Sequence, residues 1–141
     1  MIIKQLSVFL ENTSGRLTEV TQTLADAAIN ISAFSVADTA EYGLVRLIVS
    51  KPEEAQKVLK DKGFSVHIND VIGLVVPHQP GGLHRALKIL SNGGISIEYM
   101  YAFAMGDRAT VIIRTESLQE AIDLLQRQKM ELVKASEIYT V

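Results

Sequence analysis

Two short stretches, "ENTSGRL" at residues 11–17 and "PHQPGGL" at residues 77–83, share one design. Each follows a β-rich apolar run, "LSVFL" or "VIGLVV", and each leads directly into an apolar pattern of helical spacing. A strand that changes into a helix within a few residues needs small or polar residues, and a glycine there widens the choice of backbone angles. The two stretches therefore predict two strand–turn–helix junctions.

The junctions belong to an internal repeat with an offset of 66 residues and no gap. Gly15 corresponds to Gly81, and Leu17 corresponds to Leu83. A register that is kept from the first strand to the last helix indicates two copies of one unit. Further identical pairs are Leu24 with Leu90, Ile29 with Ile95, Ile31 with Ile97, Val45 with Val111, Ala55 with Ala121 and Leu59 with Leu125.

Each copy reads β-α-β-β-α-β, which predicts an α+β fold of two tandem ferredoxin-like modules, residues 1–69 and 70–141. In each module a four-stranded antiparallel sheet would carry both helices on one face. The second strands are expected at "INISAFSVA" and "ISIEYMYAF", and the closing strands at "FSVHI" and "MELVKASEIYTV". Ser50 with Glu53, and Ser117 with Glu120, have the spacing of a capping box at the second helix of each copy.

The boundary between the copies leaves two topologies open. The counterpart of the C-terminal "IYTV" in the first copy is the segment 72–75, which already serves as the first strand of the second copy. Either the fourth strand of the first copy stops near Asn69, or the copies share or exchange a strand.

The turns are the most specific candidate site. A helix that begins directly after a strand leaves backbone N–H groups free at its first turn, and these donors with the helix dipole favour a carboxylate. Gly15 and Gly81 would let a ligand approach the backbone closely. Leu17 and Leu83 are expected to anchor the two helices in the core. A plain β–α turn with a helix cap is the alternative interpretation.

The composition of the chain limits the classes of function that it can have. The chain has 141 residues, 48% of them hydrophobic and 21% charged, which is typical of a globular protein. The net charge of −2 and the absence of Trp argue against nucleic-acid binding. No stretch is apolar enough to span a bilayer, and no secretory signal precedes the first strand, so a cytoplasmic protein without membrane contact is expected.

No residue set for catalysis or metal binding stands out. Without Cys, thiolate chemistry and zinc–thiolate sites are excluded. His78 and His84 flank a glycine-rich turn, but their spacing is not that of a helical metal site, and His67 lies in an expected strand. "PGGLHR" lacks the Lys-Ser/Thr of a phosphate loop, and no serine lies in a Gly-x-Ser-x-Gly elbow. We therefore expect no catalytic residues, no metal and no cofactor.

The motifs at the turns resemble those of ACT domains, small regulatory modules that bind amino acids. The family pattern is Asp/Asn-x-Pro-Gly-x-Leu, a helix, and then Gly-Ile/Val-Asn-Ile. The first copy gives "NTSGRL" and "AAINI" and departs from the pattern at Ser14. The second copy gives "HQPGGL" and "GGISI" and departs from it at His78 and Ser96. The resemblance covers nearly the whole chain.

The resemblance implies an amino-acid sensor without a catalytic domain, which binds a free amino acid where modules meet edge to edge, as a homodimer, and acts on a partner protein. Asn12 and Asn30 are amide side chains that both donate and accept hydrogen bonds, as an amino acid requires. Because the second copy lacks that pair, the two sites are expected to be unequal. The first implied half-site comprises Asn12, Thr13, Ser14, Gly15, Arg16, Leu17, Asn30 and Ile31. The second comprises His78, Gln79, Pro80, Gly81, Gly82, Leu83, Ser96 and Ile97.

Two other functions stay open at this level. The chain could be an assembly subunit whose sites are degenerate, or a small enzyme on a ferredoxin-like frame, because a fold alone fixes no function. The lack of a matched nucleophile, base and metal set argues against the enzyme. Stabilisation by a ligand would separate the sensor from the assembly subunit.

Overall fold

The structure is a computed structural model that describes residues 1–11, 13–38 and 42–139. The chain divides into two compact units. The N-terminal unit comprises Lys4–Asn69 together with the C-terminal residues from Ser136 onward. The C-terminal unit comprises Met1–Ile3 together with Asp70–Ala135.

The N-terminal unit follows the predicted strand and helix order. Its strands run in the spatial order β2-β3-β1-β4, and β3 pairs antiparallel with both β1 and β2. Alternate residues of β1 and β3 face the core, where they pack against Val20 and Leu24 of the first helix and Ala55 and Leu59 of the second. The elements are β1 (Ile2–Glu11), α1 (Arg16–Asp26), β2 (Ile31–Asp38), β3 (Tyr42–Val49), α2 (Pro52–Asp61) and the beginning of β4 (Ser65–Pro77).

The C-terminal unit repeats the arrangement. Strand β4 pairs antiparallel with β6 and with the short β7, and β6 pairs antiparallel with β5. Ala86 and Leu90 of one helix and Ala121 and Leu125 of the other pack on one face of this sheet. The elements are the remainder of β4, α3 (Gly82–Asn92), β5 (Tyr99–Met105), β6 (Arg108–Arg114), α4 (Leu118–Arg127) and β7 (Glu131–Leu132), followed by α5 (Ala135–Tyr139). The predicted α+β, ferredoxin-like fold class is confirmed.

Strand β4 decides between the two topologies that the sequence leaves open. It is one strand of 13 residues, and its first part belongs to the N-terminal unit while the part from Asp70 belongs to the C-terminal unit. Core residues Val66 in the first part and Ile72, Leu74 and Val76 in the second contribute to separate hydrophobic clusters. One strand therefore serves both units.

Residues 130–139 do not form the expected closing strand. Pairing is limited to Glu131 and Leu132, and residues 135–139 form α5 instead. In the N-terminal unit, the hydroxyl of Ser32 donates to the carbonyl of Ile138 at 2.7 Å, and the Tyr139 hydroxyl accepts the backbone N–H of Lys4 at 2.6 Å. Ile138 is 6% exposed. Burial of this side chain, which a local pattern cannot reveal, favours the helix.

Two smaller expectations also fail. Strand β5 begins at Tyr99 rather than near Ile95, which is buried in the core directly after a left-handed Gly94. Neither capping box forms: α2 has Lys51 at its N-cap, and the Ser50 hydroxyl accepts the backbone N–H of Asn30 instead. Helix α4 has Ser117 at its N-cap, without a side-chain cap bond among the described residues.

The four long helices end in a left-handed residue, but the two copies place glycine differently. After α1 the left-handed position holds Ala28 (φ 57), and its counterpart after α3 is Gly94 (φ 73). After α2 it holds Gly63 (φ 90), and its counterpart after α4 is Lys129 (φ 58). A left-handed backbone costs a non-glycine residue about 1–2 kcal/mol. Each unit therefore carries one strained helix end and one relaxed one.

We expect Ala28→Gly and Lys129→Gly each to raise the free energy of unfolding by about 1 kcal/mol, because glycine relieves the left-handed strain. Urea unfolding monitored by circular dichroism measures the change. Gly94→Ala and Gly63→Ala are the matched controls and should lower it by a similar amount, since an added Cβ meets nothing within 4 Å at either position. Unchanged midpoints in all four variants would contradict the strain assignment.

Candidate functional site

The two turns have the same backbone geometry. Gly15 is the N-cap of α1 with φ 92, and Gly81 is the N-cap of α3 with φ 86. Corresponding hydrogen bonds close both turns: Thr13 N–H donates to the carbonyl of Glu11 at 2.8 Å, and Gln79 N–H donates to that of Pro77 at 3.0 Å. The positive φ is a conformation that L side chains rarely adopt, which explains why a glycine stands at each junction.

The space beside both N-cap glycines is open. A Cβ added at Gly15 or at Gly81 would meet nothing within 4 Å. Among the described residues, no side chain caps α1 or α3. The first helical N–H donates within each turn, from Arg16 to the carbonyl of Thr13 and from Gly82 to that of Gln79. The N–H groups that follow and the positive end of the helix dipole favour a negatively charged oxygen. Asn12, the predicted amide contact, lies outside the described residues.

Leu17 and Leu83 do not anchor their helices in the core. They are 39% and 37% exposed, so that expectation is wrong. The buried side chains begin at Val20 in α1 and at Ala86 in α3, where the buried Gly82 precedes them. Leu83, the second residue of α3, lines a pocket beside the turn.

A pocket of about 280 Å³ adjoins the turn of the C-terminal unit. The lining residues include Val76 and Val111 of the core and three alanines on β5 and β6. The predicted residues His78, Gln79 and Leu83 also line it. The remaining lining residues are Pro77, Ala102, Phe103, Ala104 and Ala109. The pocket is thus mostly apolar, with one imidazole and one amide as its polar side chains.

The other predicted contacts lie at the far end of each sheet. In the N-terminal unit, Asp38 pairs with Gly43 at the end of the sheet where β1 leads into its β–α turn. Ile31 pairs with Val49 at the opposite end of the sheet. An eight-residue strand at about 3.3 Å per residue separates these ends by more than about 20 Å. Asn30 is exposed, and two hydrogen bonds join it to Ser50. The Ser50 N–H donates to the carbonyl of Asn30 at 3.0 Å, and the Asn30 N–H donates to the Ser50 hydroxyl at 3.0 Å.

In the C-terminal unit, the carbonyl of Ser96 accepts the hydroxyl of Thr115 at 2.7 Å, close to the end of β6 that is remote from Pro77. Ile97 is half-buried and packs against the core. Within one unit, the structure therefore does not bring Ser96 and Ile97 to Gly81, nor Asn30 and Ile31 to Gly15.

Two ion pairs lie near the turns. Arg16 contacts Glu19 at 2.7 Å on α1. Arg108, the partner of Pro77 across the sheet, forms an ion pair with Glu131, and this hydrogen bond raises the pKa of Arg108. Elsewhere, the hydrogen bond from Lys4 lowers the pKa of Glu53. No cluster of His, Asp and Glu that could hold a metal ion occurs in residues 1–11, 13–38 and 42–139.

The sequence did not identify the pocket residues on β5 and β6 as candidate site residues. Ala102 pairs with Val111 and Ala104 pairs with Ala109, which puts small side chains opposite one another beside Leu83. The repeat offers a signal for them, because the counterpart of Ala102 in the first copy is the larger Val36. Size differences between aligned strand positions could therefore have indicated a hollow in one copy.

The fold and the paired turns define a protein built from two ferredoxin-like modules. The sequence matches the family described as "ACT domain pair" over residues 1–141, and the chain belongs to that family. No protein of curated function gave a significant match.

Solved structures agree with this assignment. The chain is similar to protein BT0572 from Bacteroides thetaiotaomicron, at 48% identity and a TM-score of 0.97, covering 100% of this chain and 98% of that one. It is also similar to the ligand-free regulatory subunit of aspartate kinase from Thermus thermophilus, at 18% identity and a TM-score of 0.68, covering 88% of this chain and 91% of that one. The corresponding subunit from Thermus flavus is 16% identical, with a TM-score of 0.65, and the match covers 90% of this chain and 94% of that one. At these identities the two subunits show the fold alone.

We expect Gly82→Ala to lower the free energy of unfolding more than Gly81→Ala does. A Cβ at Gly82 would lie 2.2 Å from the carbonyl oxygen of Pro77, so the backbone must shift, at a cost of about 2–3 kcal/mol. Gly81→Ala meets open space and should cost about 1–2 kcal/mol for its left-handed backbone alone. Chemical denaturation of both variants decides the order, and equal losses would show that the turn adapts freely.

Proposed function

We propose that this protein is an amino-acid sensor, in which each module, residues 1–69 and 70–141, offers its β–α turn to a free amino acid. The observation that carries this proposal is the pocket beside the turn of α3, where an open helix N-terminus adjoins an apolar hollow. Membership of the ACT domain pair family and the fold of aspartate kinase regulatory subunits support a regulatory role.

The ligand would lie with its α-carboxylate at the first turn of α3 and its side chain against the alanines that line the pocket. Backbone N–H donors and the helix dipole favour the carboxylate, and the open side of Gly81 admits it. His78 and Gln79 can meet the ammonium group or polar atoms of the side chain. Leu83, which is 37% exposed and lines the pocket, would contact the apolar part of the ligand.

The first module would bind differently. Its turn combines Asn12 with Gly15 and Leu17, and the residues Asn30 and Ile31 would come from a neighbouring module, because one module holds them at opposite ends of its sheet. Ser96 and Ile97 would play the same part toward the turn at 78–83. Pairing of modules through sheet edges in a homodimer supplies such a neighbour.

Regulation would be exerted on a separate partner protein. The described residues contain neither a matched acid, base and nucleophile nor a metal cluster, and we propose that the chain has no catalytic activity of its own. No helix in the described parts of the chain is long and apolar enough to cross a membrane. We propose a cytoplasmic location, where free amino acids are available.

A thermal-shift screen of the twenty amino acids, followed by titration calorimetry, tests the proposal. We expect at least one amino acid to bind, and Gly81→Ala or Gly15→Ala to weaken it by blocking backbone approach. Asn12→Ala should remove a hydrogen bond to a charged group, about 1.5–3 kcal/mol or ten- to a hundred-fold in affinity.

Matched controls separate binding from folding. Gly63→Ala introduces the same left-handed strain in the other unit, in open space, and is the control for Gly81→Ala. Gly94→Ala is the corresponding control for Gly15→Ala, and each control should leave affinity unchanged at the turn with which it is compared. If no amino acid binds at millimolar concentration, or if the turn variants bind as well as the controls do, the assembly-subunit function replaces the sensor.

A further inference from the structure

A second cavity, of about 360 Å³, borders the turn at 77–82 and is distinct from the apolar pocket. Its walls come from α3 and from the segment that leads out of α4 into β7. Unlike the apolar pocket, it carries charged side chains. The lining residues on which the inference rests are Gly82, Arg85, Lys129, Met130 and Glu131.

The equivalent region of the N-terminal unit is occupied by a side chain. Arg16 is the counterpart of Gly82, and its Cζ lies 4.4 Å from the ring centroid of Phe64, the counterpart of Met130. Its Nη1 is 2.7 Å from the carboxylate of Glu19, and the side chain is 26% exposed. The first copy thus holds a guanidinium there, stacked on an aromatic ring and neutralised by its own helix.

The C-terminal unit has no room for a side chain at the position that corresponds to Arg16. Gly82 is buried, and an added Cβ would lie 2.2 Å from the carbonyl oxygen of Pro77. A side chain at this position would require the backbone to move. The space that Arg16 fills in one copy is therefore left to the cavity in the other.

The side chains around this space also differ in charge between the two copies. Arg85 stands where the first copy has Glu19, and Lys129 stands where it has Gly63. Neither cation has an ion-pair partner among the described residues, and the carboxylate of Glu131 is engaged by Arg108. Lys129 also keeps its left-handed backbone (φ 58) where the first copy has glycine. Strained residues of this kind cluster at functional sites.

We propose that this cavity binds a small anion of the carboxylate or phosphate class, held between the guanidinium of Arg85 and the ammonium group of Lys129. A planar guanidinium offers two parallel donors to such oxygens, and charge-assisted bonds of this type are about twice as strong as neutral ones. The site adjoins the proposed amino-acid site, since both cavities include Pro77 and Gln79 and Gly81 lines this one, but its cations do not line the apolar pocket. The first copy has no such site, since Arg16 fills it.

Calorimetric titration of the full chain with inorganic phosphate and, separately, with succinate tests the proposal, at constant ionic strength set with sodium chloride. We expect at least one of the two to bind, and the stronger binder identifies the class. Arg85→Gln should weaken binding about tenfold or more. Lys88→Gln, which removes a cation from the exposed side of the same helix outside the cavity, should not change it.

Lys129→Gly gives a result that a merely structural role would not produce. It should weaken the anion about tenfold while making the anion-free protein more stable, because it removes the charge and relieves the left-handed strain. Ala28→Gly relieves the same strain in the other unit and should leave anion affinity unchanged. The proposal is overturned if neither anion binds at tens of millimolar, or if Arg85→Gln and Lys129→Gly bind as tightly as Lys88→Gln.

Discussion

The positive backbone angle at Gly15 and Gly81 is the constraint from which the rest of each unit follows. It lets a strand end and a helix begin within four residues, which positions α1 and α3 across the sheet with their inward stripes on the core. The same angle leaves the first turn of each helix without a side-chain cap among the described residues. One local conformation therefore sets both the packing of the helix and the chemistry of its exposed end.

The two copies have kept this frame while their turns have diverged. One copy places the guanidinium of Arg16 over Phe64 and pairs it with Glu19. The other copy has Gly82 at this position, where the carbonyl of Pro77 leaves no room for a Cβ, and it has a cavity flanked by cations. Since the backbone hydrogen bonds of both turns correspond, these differences arise from side chains alone, and the two sites are chemically unequal.

Membership of the ACT domain pair family establishes the class of the protein, whereas a fold alone does not fix which ligand a protein binds. The apolar hollow over Ala102, Ala104 and Ala109 and the neighbouring cationic cavity are properties of the C-terminal unit. The first cavity is mostly apolar, whereas the second is flanked by cations.

The sequence by itself determined the repeat, the order of strands and helices, and the glycine junctions. These depend on periodicity and on backbone angles, which neighbouring residues control. Correspondence at an offset of 66 residues also made the inequality of the two turns predictable, because His78 stands where the first copy has Asn12.

Only the tertiary structure decided that β4 serves both units, that Leu17 and Leu83 stay exposed, and that α5 replaces a closing strand. Each of these depends on contacts between residues far apart in the chain. Ile138 becomes buried beside Ser32, and the core of each unit is already filled from the next helical turn onward. A local pattern specifies which residues are apolar, but the free energy gained by burial depends on which surface they meet.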